Sequence, residues 1–142
     1  SYGRTDAFGV ARAYPNSLGE LASGLVDLND LKFTLLTSAG VFDPTDSVAD
    51  FSAEVTTGRW PAGGLEMTGV VGTETPSGYS LAADDLTRIV FESAMTARYG
   101  LIYEVATGKP LVHIDFIQDR IVARNRAVTF EFRDGEFLKF ST

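Results

Sequence analysis

The segment that most constrains the fold lies near the C-terminus, where strict alternation leads into a tight turn. Ala127–Arg133 (AVTFEFR) alternates apolar and polar residues, as a strand with one buried face does. Asp134 and Gly135 follow, a dipeptide that tolerates the positive φ angles of a two-residue hairpin turn, and residues 136–140 (EFLKF) return. A slip of one residue would turn three apolar side chains to water, so the sequence predicts a well-specified antiparallel hairpin.

From residue 31 onward the sequence is typical of short strands, because Gly, Pro, Asp and Thr divide it into brief apolar runs. Besides the C-terminal hairpin, we predict strands at 31–37, 51–57, 65–71, 79–82, 86–92, 97–105 and 111–117. The last two flank a Thr-Gly-Lys-Pro loop and are expected to pair as a hairpin. Eight or nine such strands predict a mainly β, single-domain antiparallel β-sandwich or barrel. The lack of long intervening helices argues against α/β nucleotide-binding folds.

The first 30 residues differ from the rest and predict an N-terminal arm and a short helix, ahead of a β-sandwich domain at 31–142. Ser17 and Glu20 form a capping-box pattern, and leucines recur at helical spacing, so we expect a helix near 17–25. Residues 1–14 carry the aromatic anchors Tyr2, Phe8 and Tyr14 without a clear period, which suggests an arm that docks on a partner.

Composition narrows the function classes. The chain has 142 residues, enough for one domain, and 12 basic against 19 acidic residues give a formal charge of −7. An acidic balance argues against a general nucleic-acid binder. No apolar run approaches the ~18 residues of a membrane span, and without cysteine there is no disulfide or thiolate metal site. Residues 1–13 lack the apolar core of an export signal, so we expect folding in the cytosol.

The sequence predicts no catalytic, metal or cofactor site. His113 is the only histidine; it shares a strand face with Asp115 at two-residue spacing, but it most simply faces solvent or an interface, and no Gly-x-Ser-x-Gly elbow supplies a nucleophile. Asp84 and Asp85 are adjacent, and neighbours in an extended chain point in opposite directions.

Two further charged groups have ordinary explanations. One loop holds Asp43, Asp46 and Asp50 without the spacing of a calcium loop, so we interpret them as solvated and turn-capping; an ion site is the less favoured alternative. A basic cluster lies between two predicted strands and suggests a rim that meets an acidic partner. Its members are Arg120, Arg124 and Arg126.

Several short pieces of sequence follow a familiar order over residues 31–140. They are LKFTLLTSAG at 31–40 with FDP at 42–44, FSAEV at 51–55, WPAGGL at 60–65, LAADDLT at 81–87, TARYGLIY at 96–103, TG at 107–108 with PLV at 110–112 and IDF at 114–116, and VTFEF at 128–132 with DG at 134–135. This order resembles a widespread family of small structural proteins of tailed bacteriophages, associated with the virion as capsid decoration, head-fibre or minor tail components.

The resemblance implies a non-enzymatic virion protein, assembled in the host cytoplasm, that decorates or stabilises the capsid through lattice contacts. The expected partners are the major capsid protein or other virion proteins and further copies of the chain, with no nucleic acid and no membrane. Contacts are expected at two regions, the arm with Tyr2, Phe8 and Tyr14, and the rim with Arg120, Arg124 and Arg126.

Two alternatives stay open. A tail-tip or fibre adhesion module that binds a host surface ligand would expose loop aromatics such as Trp60 near acidic groups. A hydrolase would bring two carboxylates together in a pocket, using Asp84 or Asp115.

Overall fold

The computed structural model describes residues 6–75, 78–133 and 136–141. Within these ranges the chain forms one helix and ten strands. In chain order they are β1 (Asp6–Phe8), β2 (Val10–Ala13), α1 (Pro15–Ala22), β3 (Leu31–Leu36), β4 (Leu65–Glu66), β5 (Val71–Thr75), β6 (Gly78–Ile89), β7 (Met95–Glu104), β8 (Pro110–Val122), β9 (Ala127–Arg133) and β10 (Glu136–Ser141).

The strands make two five-stranded sheets, and each strand pair in them is antiparallel. One sheet has the order β1-β10-β9-β6-β5 and the other β2-β8-β7-β3-β4. The predicted fold class is confirmed, since the molecule is mainly β with one short helix and two antiparallel sheets, as in a β-sandwich. Four pairs of consecutive strands are neighbours, namely β3 with β4, β5 with β6, β7 with β8 and β9 with β10, whereas β1 and β2 lie at edges of different sheets.

The core lies between the two sheets and is centred on Phe33 of β3. Its ring lies 4.9 Å from that of Phe130 and 5.2 Å from that of Phe132, both on β9 of the opposite sheet. Trp60, from the loop between β3 and β4, closes the cluster edge-on to Phe33 at 6.4 Å. These rings are at most 6% exposed, so aromatic packing joins the sheets.

Several predicted strands are confirmed. Leu31, Phe33 and Leu35 share the buried face of β3 and are 0% exposed, as their alternation predicts. The C-terminal segments pair as β9 and β10, while the predicted turn, Asp134-Gly135, lies outside the described residues. The 97–105 and 111–117 segments pair as β7 and β8, and β8 extends five residues further than predicted, to Val122.

Other boundaries were wrong. The predicted strands at 79–82 and 86–92 are one strand, β6, whose register against β9 shifts between Ala83 and Leu86. The 51–57 segment is not a strand: only Glu54 forms a bridge, to Leu36, because the chain turns at 51–54 with the amide of Glu54 donating to the carbonyl of Phe51. An apolar run alone does not show that a partner strand will lie beside it.

The helix begins earlier than predicted. Pro15 is its first residue, Tyr14 is the N-cap, and no side chain caps the amides. Ser17 therefore does not act as the cap; its buried hydroxyl donates to the carbonyl of Pro110 at 2.5 Å and ties α1 to β8. A proline at the first helical position needs no hydrogen-bond acceptor for its nitrogen, which explains the earlier start.

The predicted arm is part of both sheets over its described length. β1 pairs with β10 on one sheet, and β2 pairs with β8 on the other, with Arg12 opposite His113. Removal of residues 1–13 would therefore take an edge strand from each sheet, so such a deletion does not separate docking from folding.

Gly64 offers a sharp test of the close packing beside β3. Its φ is +87°, and a Cβ there would lie 2.1 Å from the carbonyl oxygen of Phe33. We expect Gly64→Ala to lower the free energy of unfolding by more than about 2 kcal/mol in urea titrations. The matched control is Gly19→Ala in α1, where a Cβ meets nothing within 4 Å; it should raise stability by about 0.5–1 kcal/mol. Equal effects of the two changes would contradict this packing.

Candidate functional site

The three aromatic residues predicted to make the arm contacts, Tyr2, Phe8 and Tyr14, have different outcomes. Tyr2 lies outside the described residues, and for Phe8 only the backbone is described, opposite Lys139 of β10. Tyr14 is 4% exposed and its ring packs 4.9 Å from that of Phe42. The prediction assumed that Tyr14 is free to contact a partner, and this is corrected: the side chain is buried because the loop after β3 folds over it.

The predicted arginine rim is divided by the fold. Arg120 lies within β8, and its guanidinium donates two hydrogen bonds to the carbonyl of Phe116, at 2.8 and 3.1 Å. The side chain of Arg120 spans an irregular stretch where the register of β7 against β8 shifts. Arg124 and Arg126 are exposed in the turn between β8 and β9, so the structure keeps these two as surface groups and gives Arg120 a role in holding the bulge.

That turn lies beside two other loops at one end of the sandwich. The amide of Asn125 donates to the carbonyl of Val90 at 2.7 Å, and Val90 donates to the carbonyl of Arg126 at 2.9 Å. The amide of Phe91 in turn donates to the carbonyl of Gly58 at 3.1 Å. Three loops distant in sequence are thus joined by backbone hydrogen bonds.

The loops bring in two arginines that the sequence analysis did not select. Arg88, near the end of β6, donates to the carbonyl of Arg59 at 2.6 Å. Arg59 pairs with Glu92 at 2.5 Å, and with Phe91 these residues line an open groove of about 390 Å³. We call the basic end the surface formed by Arg59, Arg88, Arg124 and Arg126 with Ile89, Phe91 and Glu92. Four arginines and one glutamate give it a formal charge of +3 on a chain of −7.

The backbone of the basic end is unusually constrained. Four non-glycine residues of the described chain have positive φ, and three of them, Arg59, Glu92 and Asn125, lie here, with φ of 60°, 65° and 66°. Such conformations cost about 1–2 kcal/mol each and persist where the surroundings impose them. The side chains of Arg59 and Glu92 are therefore displayed from tight turns with defined directions.

Exposed apolar groups accompany the arginines. Phe91 is 47% exposed and Ile89 46%, and Ile121, two residues before the turn, is 69% exposed. Large apolar side chains next to arginines are the composition that protein–protein interfaces favour. The basic end therefore has the composition of an interaction surface.

His113 has a structural role instead of the exposed one expected. It is 2% exposed, and its Nε2 lies 2.8 Å from the carbonyl oxygen of Gly40. A carbonyl only accepts, so Nε2 donates and the neutral ring leaves Nδ1 as an acceptor. The ring lies 4.8 Å from that of Tyr99 and 5.4 Å from that of Phe42. Burial lowers its pKa below the usual 6.5.

The candidate carboxylates also have structural partners. Asp115 pairs with Arg98 at 3.2 Å and accepts the amide of Ile117, and these contacts help lower its pKa despite partial burial. Asp84 accepts the hydroxyl of Thr68 at 3.0 Å on the other sheet. The two carboxylates do not converge.

The acidic loop caps turns, as the favoured interpretation predicts. Asp43 accepts the amide and hydroxyl of Thr45, and Asp50 accepts the amide of Ser52. These hydrogen bonds lower the pKa of both aspartates. Among the described residues no group of three or more His, Asp or Glu is arranged to hold a metal ion.

The buried side chain of Trp60 belongs to a chain of hydrogen bonds, which we call the relay, with Thr34 and Glu54. It is 6% exposed, and its Nε1 donates to the hydroxyl of Thr34 at 3.0 Å, which donates to Glu54 at 2.5 Å. Glu54 also accepts the amide of Gly63. The indole is therefore unavailable to a ligand.

No protein-family model, curated protein or solved structure gives a significant match to this chain. In the part of the chain that the structure describes, no helix is both long and apolar enough to cross a membrane.

The burial of His113 predicts a pH dependence. Because the folded state favours the neutral ring, its stabilising contribution is present above the ordinary pKa of 6.5 and is lost as pH falls below it. The negative charge of Asp115 opposes the lowering of the His113 pKa, and the positive charge of Arg12 adds to that lowering. Unfolding free energies measured between about pH 7.5 and 5 should fall more steeply in the wild type than in His113→Phe, by at most ~1.4 kcal/mol per pH unit for one proton. Parallel pH profiles of the two proteins would refute the burial of a neutral ring.

The relay predicts a second effect on stability. Thr34→Val removes the hydroxyl that joins Trp60 to Glu54, so the buried indole N–H and the half-buried carboxylate both lose this partner. We expect a loss of about 1–3 kcal/mol in the free energy of unfolding. Thr34→Ser keeps the hydroxyl and should cost clearly less; if it costs as much, packing and not the relay sets the stability here.

Proposed function

We propose that this protein is a non-enzymatic structural component of a tailed-bacteriophage virion, which decorates or stabilises the capsid by contacts with neighbouring virion proteins. The order of sequence pieces over residues 31–140 suggests this setting. The single observation that carries the binding role is the basic end, where arginines and exposed apolar side chains stand together on tight turns of an otherwise acidic chain.

The side chains considered for chemistry support a binding role by the contacts they make. His113 holds the carbonyl of Gly40 beneath aromatic rings, Asp115 pairs with Arg98, and Asp84 accepts Thr68. Each is used to stabilise the sandwich. The surface then supplies what a virion component needs, a contact of modest strength that many copies on a symmetric lattice repeat, so that avidity multiplies it.

The alternatives lose support. The adhesion module expected loop aromatics such as Trp60 to be exposed, and Trp60 is buried against Phe33 and Thr34, while Phe91 at the basic end is exposed. The hydrolase required converging carboxylates, and Asp84 and Asp115 lie on strands of different sheets.

Particle incorporation tests the proposal. Virions purified on a density gradient from infected host cells should contain the chain in many copies, detected by quantitative mass spectrometry and located by electron microscopy of the particle. Arg124→Glu with Arg126→Glu should reduce its amount several-fold while leaving the circular dichroism of the purified protein unchanged. Arg12→Glu, an exposed change on β2 away from the basic end, is the control and should be incorporated normally. Particles that lack the chain would overturn the proposal.

A further inference from the structure

We infer that the basic end binds the opposite, acidic end of a second copy of this chain, so that copies associate head to tail. The inference rests on the proposed function in naming the neighbour of each copy, and its test uses the purified protein alone. The inference rests on the opposite charges of the two ends, on their exposed apolar side chains, and on their placement at opposite ends of the same strands.

The acidic end is built around the turn between β7 and β8. The amides of Val105 and Ala106 donate to Asp30, at 2.9 Å to its backbone and side-chain oxygens respectively. On the other side of the turn, the amide of Ala49 donates to the carbonyl of Gly108 at 2.7 Å. The loop with Asp46 and the loop with Asp30 thus flank one turn.

The charges at this end are largely of one sign. We call the acidic end the surface formed by this turn and its neighbours, with Glu20, Asp27, Asp30, Asp43, Asp46, Asp50 and Lys109. Six carboxylates and one lysine give a formal charge of −5, while Glu104 at the end of β7 is buried and accepts the amide of Asp27. Lys109 is already paired with Glu20. Desolvation raises the pKa of Asp46, and the neighbouring charges of Asp43 and Asp50 raise it further.

Apolar side chains at the acidic end match those at the basic end. Val48 is 63% exposed and Val105 42%, and both lie at the turn, where a Cβ on Gly108 would be 3.6 Å from Val48. Phe91 and Ile89 provide the counterpart at the basic end. Protein interfaces combine an apolar centre with a polar rim, and each end supplies both.

The two ends lie at opposite ends of the same strands. β7 begins at Met95, near Gly58 of the basic end, and finishes at Glu104 beside the acidic end. Ten strand residues span about 30 Å at roughly 3.3 Å per residue. Because the complementary surfaces point in opposite directions, one copy cannot satisfy both with the same neighbour by a two-fold axis. The contact is heterologous and builds a ring or an open row of copies.

A protein partner suits the basic end better than nucleic acid does. Its four arginines include Arg59, which is paired with Glu92, and the exposed Phe91 and Ile89 suit a protein surface and not a phosphate backbone. The net charge of −7 does not prevent head-to-tail contact, because exposed charges more than about 10 Å away are largely screened at 0.1 M salt. Complementary charges then set orientation, and the apolar groups add affinity.

Two variants, each with one end altered, test the inference by sedimentation velocity. One carries Arg124→Glu and Arg126→Glu at the basic end; the other carries Asp46→Lys and Val48→Lys at the acidic end. The wild type should associate at about 50 mM salt and dissociate at about 500 mM. Each variant alone should bind its own copies at least tenfold more weakly than the wild type does. Arg12→Glu, an exposed charge reversal on β2, is the control and should associate like the wild type.

Mixing the two variants tests whether the basic end of one chain binds the acidic end of another, and growth of the wild type beyond a dimer distinguishes a head-to-tail row from a two-fold pair. In the mixture, the acidic-end variant supplies an intact basic end and the basic-end variant supplies an intact acidic end. A one-to-one heterodimer should therefore form and grow no further. A wild type that stays monomeric, a mixture without heterodimer, or an oligonucleotide bound by the wild type but not by Arg124→Glu/Arg126→Glu would overturn the inference. These results leave particle incorporation intact if virions contain the chain, whereas absence from virions contradicts the proposed function whatever the solution behaviour.

Discussion

The packing of Phe33 between the sheets is the interaction on which the rest of the structure depends. Its ring meets Phe130 and Phe132 of the facing sheet, and it reaches them because Gly100 on β7 leaves room: a Cβ there would lie 2.7 Å from the Phe33 ring. Its carbonyl faces Gly64, which has no side chain to displace it. Two sheets that meet through a central aromatic cluster acquire a fixed separation and orientation.

The buried polar groups follow from this closure. Trp60 completes the aromatic cluster only by taking its indole nitrogen out of water, and Thr34 and Glu54 supply the hydrogen bonds that compensate for this. On the outer face of the second sheet, the loop after β3 covers His113 and Tyr14 in the same manner. The polar residues that look reactive in the sequence are thus placed where the covering loops need partners.

The charge of each end of the sandwich follows from which strands begin or finish there. Because β6, β7, β8 and β9 begin or finish at one end, their turns are held together by backbone hydrogen bonds, and arginines from β6 and from two loops become neighbours. The other end gathers carboxylates by the same means. A chain with a net charge of −7 therefore carries two surfaces of opposite sign.

The sequence by itself determined the fold class, the faces of β3, and the pairing of β7 with β8 and of β9 with β10, because alternation and short turns act between residues close in the chain. It also indicated that Arg124 and Arg126 are surface groups. Only the tertiary structure decided that residues 51–57 are not a strand, that His113, Tyr14 and Trp60 are buried, and that Arg59 and Arg88 join the basic end. Those outcomes depend on which distant segment covers a residue, and contacts across the sheets carry no local signature that a single sequence displays.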